Sequence, residues 1–136
     1  MAIEEVKSAI YDNWDENFTG IAKSAIEWVT YKPETISQLE KVNILFAFYS
    51  PGGTSLEQVG FNLWKIIEPV AVDVYLKTSM QLLSDAISKR DIINNEIVRI
   101  LISQKFVKAL REVTKSETET LVRLQLTVDH LSFKFT

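Results

Sequence analysis

Two segments alternate apolar and polar side chains with a period of two, which favours β-strands over any other element. In residues 70–77, Val70, Val72, Val74 and Leu76 alternate with Ala71, Asp73, Tyr75 and Lys77. Near the C-terminal end, Val122, Leu124, Leu126 and Val128 alternate with Arg123, Gln125, Thr127 and Asp129. The phase then flips, and Leu131, Phe133 and Phe135 become the apolar set. One extra residue near Asp129–His130 would produce that flip, so the pattern predicts a β-bulge there.

The remaining elements follow from periodicity and breakers. Ile3, Val6, Ile10 and Trp14 recur at helical spacing, predicting an amphipathic helix over 2–14 that Asp15-Glu16-Asn17 and Gly20 end. Residues 25–31 are β-branched and aromatic enough for a short strand, and Lys32-Pro33-Glu34-Thr35 reads as a turn. Residues 41–49, KVNILFAFY, predict a strand, followed by a turn at Ser50-Pro51-Gly52-Gly53-Thr54. Residues 56–68 suit two elements. Leu56, Val59, Leu63 and Ile66 would line a helix, with Ser55 and Gln58 as a capping pair. Gly60 costs about 1 kcal/mol inside a helix, and Trp64, Ile66 and Ile67 suit a sheet, so a strand over 59–67 is favoured, broken by Pro69.

Leu82, Leu83, Ala86, Ile87, Ile93, Ile97, Ile100 and Leu101 give a broad apolar stripe, predicting a helix over 79–104 with Ser79 as its N-cap. A hairpin closes the chain, with arms at 106–114 and from Thr120 onward joined by a loop at 115–119. The fold class is α+β: one mixed or antiparallel sheet of four to six strands, two helices on one face, and a C-terminal β-hairpin, in a single domain over 1–136.

Composition excludes more chemistry than it suggests. The chain has no Cys, which removes disulfides, thiolate catalysis and zinc-thiolate sites. Its longest uncharged stretch, Val42 to Leu56, is interrupted by Asn43 and Pro51-Gly52-Gly53 and falls short of the roughly 20 apolar residues of a membrane helix. The start, MAIEEVKSAI, lacks the basic and apolar regions of a secretory signal, so the acceptor-like Asn17-Phe18-Thr19 is not expected to be glycosylated. His130 is the only His and is expected at a surface or bulge position, with no nucleophile motif beside it. The Pro51–Ser55 segment lacks the Lys of a phosphate-binding loop. Glu68 and Asp73 flank the strongest strand, as acids do in metal nucleases, but no acid-x-Lys pair accompanies them. Lys outnumbers Arg 11 to 4 in a net-acidic chain, which speaks against sequence-specific nucleic-acid binding. No enzymatic activity, metal or cofactor is expected.

Charge is spread unevenly along the chain. Residues 1–40 carry a net of −5, whereas Arg99, Lys105, Lys108, Arg111 and Lys115 face a single acid, Glu112, between 99 and 115. Two solvated surfaces would account for this, and so would a head-to-tail oligomer whose acidic face meets a basic one. The strands are also long and apolar for so small a chain. If the Phe46/Phe48, Trp64/Ile66 and Phe133/Phe135 sets do not all face one helical layer, a neighbouring copy would bury the remainder.

The order of elements and several short segments resemble the tail terminator and neck (tail-completion) proteins of long-tailed phages and archaeal tailed viruses. The segments are Tyr11-Asp12-Asn13-Trp14-Asp15-Glu16-Asn17 after the first helix, Val72-Asp73-Val74-Tyr75-Leu76-Lys77-Thr78 in the central strand, Glu96-Ile97-Val98-Arg99-Ile100-Leu101 in the long helix, and the Leu121–Phe135 arm. Such family strands often carry Arg where Tyr75 or Lys77 stands here. The resemblance implies a structural virion protein of the tail or neck, assembled in the host cytoplasm. It would form a ring, usually a hexamer, that ends tail growth and joins the tail tube protein to the head connector or head-closure protein, with viral DNA passing through. Contacts between copies or with the tail tube are expected at Pro51, Gly52 and Gly53, and at Lys105, Lys108, Arg111, Lys115, Glu117 and Glu119. The alternative is a small cytoplasmic adaptor or ligand-binding α+β domain with a concave apolar pocket.

Overall fold

The computed structural model describes residues 2–33 and 43–136. Helix α1 (Ala2–Asn13) buries Ala2, Val6, Ala9 and Ile10. It stops before Trp14, whose indole N–H donates to the Ile21 carbonyl at 2.9 Å and whose ring is buried. Asp15 then caps a separate turn of helix, α2 (Glu16–Thr19), its carboxylate accepting from the amides of Asn17 and Phe18. Gly20, at φ 68°, closes α2 rather than the first helix. The short strand β1 (Glu27–Val29) lies within the expected 25–31. The turn expected at 32–35 and the start of the strand expected at 41–49 run outside the described residues; the described part of that strand is β2 (Ile44–Tyr49).

Residues 55–77 form a hairpin, so 59–67 is extended rather than helical, but it is not the single strand expected: a turn at Phe61-Asn62 splits it. β3 (Ser55–Gly60) turns through Phe61 and Asn62 into β4 (Leu63–Lys77). Asn62 takes φ 55°, the left-handed geometry that Asn tolerates in tight turns. Pro69 does not break β4. The Lys77 amide donates to Asn43 on the β2 side, and unbroken alternation along β4 aims the Pro69 nitrogen to that same side. There β3 pairs with 63–67 and β2 with 71–76, so Pro69 faces the gap between them and no ladder bond is lost.

A 3-10 turn (Met80–Leu82) leads into helix α3 (Leu83–Ile102). Ser79 makes no side-chain cap, because this turn intervenes, and Leu82 is exposed rather than part of the apolar stripe. The closing hairpin pairs β5 (Val107–Glu117) with β6 (Leu121–Phe135). Its turn is residues 118–120, shorter than the expected 115–119 loop; the Thr118 amide donates to the Leu121 carbonyl, and the Thr118 hydroxyl accepts from the Thr120 and Leu121 amides. The bulge expected at Asp129–His130 lies on the facing strand instead, where β5 shifts register between Val107, opposite His130, and Ala109, opposite Asp129. β6 pairs with β4 without a register shift from Leu121 to Phe135, and the shifts fall in β5, between Val107 and Ala109 and between Glu112 and Thr114. The apolar flip in β6 is therefore a change of face, not of register.

Among the described residues, six strands make one mixed sheet in the order β1-β2-β4-β6-β5, with β3 beside β4 in line with β2. β1 runs parallel to β2 and the other pairs are antiparallel. Phe46, Phe48, Val70, Val72, Val74, Leu76, Val122, Leu124, Leu126 and Val128 share one face with α1 and α3. Each fully buried aliphatic or aromatic side chain contributes roughly 1.5–3 kcal/mol. The fold is the α+β sandwich that the periodicities predict, with α1 and α3 on one face.

Candidate assembly interface

β4 outruns the helices. Its 15 residues extend about 50 Å, against about 30 Å for the 20 residues of α3. The excess appears as an arm of β3, the first part of β4 and the last part of β6, where burial falls away. Register places Leu56, Ile66 and Trp64 on the helix-side face, beyond the helical layer. Ile67, Leu131, Phe133, Leu63 and Phe135 lie on the opposite face, so the arm is apolar on both. Phe61 at its tip is 91% exposed, Phe135 75%, Leu56 64% and Phe133 58%. The phase flip read in the sequence marks the point where β6 leaves the helical cover.

The face of the sheet opposite α1 and α3 carries a buried polar cluster. Asp73 is fully buried, and its Oδ2 accepts from the Tyr49 hydroxyl at 2.7 Å, the Tyr75 hydroxyl at 3.0 Å and Arg123 at 3.2 Å. Gln125 donates to the Tyr49 hydroxyl, and the Arg123 guanidinium lies over the Tyr75 ring. Burial, then the Asp73 carboxylate, pushes Tyr75 up to about 12, with Arg123 opposing. Burial and the hydrogen bond to Asp73 raise Tyr49 further. Both phenols stay neutral and donate to the single carboxylate. Asp73 Oδ1 and Arg123 Nε are buried without hydrogen-bond partners among the described residues. The sequence signal for this cluster is a carboxylate in an otherwise apolar strand with Tyr75 two residues on, sharing its face.

The expected contact residues divide into free and occupied groups. Pro51, Gly52 and Gly53 are exposed at the base of the arm, the glycines at φ 92° and 85°. Lys105, Lys108 and Glu119 are exposed. Arg111 pairs with Asp129 at 3.2 Å and Lys115 with Glu112 at 3.5 Å. Lys115 and Glu117 lie on β5, not in a loop. Glu117 anchors the hairpin to α3 through Arg90, which is buried and donates to it at 2.7 Å and to the Ser116 carbonyl at 3.3 Å. Glu96, also fully buried on α3, accepts from the Asp15 amide at 2.8 Å and from Arg99, tying α2 to the long helix. Sequence reasoning missed both buried charges, which occupy positions inside an apolar stripe.

His130 is buried against Phe106, with its Nε2 3.3 Å from Glu5 of α1, rather than at the surface, and it stands opposite Val107 where β5 shifts register. Register sets Glu68 opposite His130, and its even position puts it on the face opposite Asp73. The two acids therefore cannot share a metal. No cluster of three or more potential metal ligands, and no helix long and apolar enough to cross a membrane, occurs among the described residues. No family model matches the chain, and no curated protein matches it.

Proposed function

We propose that this chain is a structural virion protein of the tail terminator or neck type. It forms a homo-oligomeric ring, a hexamer in this reading, at the head-proximal end of the tail tube. There it ends tail growth and joins the tube to the head connector or head-closure protein, without catalysis or a cofactor. The observation that supports this is the arm: exposed aromatic and aliphatic side chains on both faces of a ribbon that its own helices do not reach. A chain that stays alone does not keep such a surface in water. Among the described residues no strand pairs with the outer edge of β3, which points the same way, since unpaired edges recruit further chains.

Native mass spectrometry and electron microscopy of the purified protein, alone and with the tail tube protein of the same virus, test the proposal. Closed rings that cap tubes are the expected result, and a strict monomer under both conditions would refute it. A second reading, a small cytoplasmic adaptor or ligand-binding domain, is favoured by one groove of about 640 Å³ beside α3. It predicts a monomer or dimer that binds a small molecule there.

A further inference from the structure

We draw no further inference here: the strongest candidate, the apolar arm of β3, the first part of β4 and the last part of β6, exposes side chains on both of its faces, and nothing in the structure shows what covers it.

Discussion

Asp73→Ala tests whether the polar cluster on the face opposite α1 and α3 holds the sheet together. The substitution removes one oxygen that accepts from two phenols and a guanidinium. Breaking a buried charged pair costs about 3–5 kcal/mol. Arg123 retains 32% side-chain exposure and can turn to water, which favours the lower end of that range. The three bonds share one acceptor, so their energies do not add. The expected loss is about 3 kcal/mol. At about 2.1 cal/mol/K per residue, the unfolding entropy of a chain this size is about 0.29 kcal/mol/K, which converts the loss to a fall of about 10 °C in melting temperature. Urea unfolding and a thermal melt followed by circular dichroism measure both quantities. Asp73→Asn retains one carbonyl acceptor and should lose about half as much. A change under 0.5 kcal/mol for Asp73→Ala would show that the cluster is not a structural tie and refute the reasoning.

Alkaline pH should weaken the fold. Tyr75 is held near 12 and Tyr49 is raised as well, so above pH 10 the unfolded chain loses phenolic protons first and stability falls toward pH 12; Tyr75→Phe should flatten that slope in urea titrations taken across this range. Glu96→Ala removes the acceptor of the Asp15 amide, and should cost about 2–3 kcal/mol while accelerating hydrogen exchange at that amide; unchanged exchange would contradict the tie between α2 and α3. Glu117→Ala leaves Arg90 buried without its carboxylate, and since Glu117 is itself nearly half exposed the expected loss by chemical denaturation is about 1–2 kcal/mol. Phe133→Ser with Phe135→Ser should change monomer stability by less than about 1 kcal/mol yet reduce self-association, as read by sedimentation velocity.

Much of this was legible from local pattern. The alternation in 70–77 and 121–128 specifies strands with one apolar face, and that face is the one the helices cover. The stripe Ala86, Ile93, Ile97, Ile100 and Leu101 likewise meets the sheet. Legibility fails where a residue's role depends on a neighbour distant in sequence. Pro69 reads as a breaker from its own chemistry, and is harmless because β2 and β3 leave a gap beside it. The flip after Asp129 reads as a bulge when β6 is taken alone; an unbroken register with β4 makes it a change of face. Arg90 and Glu96 carry no burial signal of their own in the sequence and are buried because Glu117, the Asp15 amide and Arg99 receive them.

The sequence by itself determines the class of fold and removes thiol and zinc-thiolate chemistry, because periodicity and the absence of Cys are properties of the chain alone. Tertiary structure alone decides where helical cover ends along β4 and β6. That limit comes from the different rise per residue of helix and strand, about 1.5 Å against about 3.3 Å, acting on elements far apart in the chain. Past it, side chains with a core-like pattern have no core to enter. The same residues that look like an interior in the sequence become the exposed arm from which the assembly is proposed.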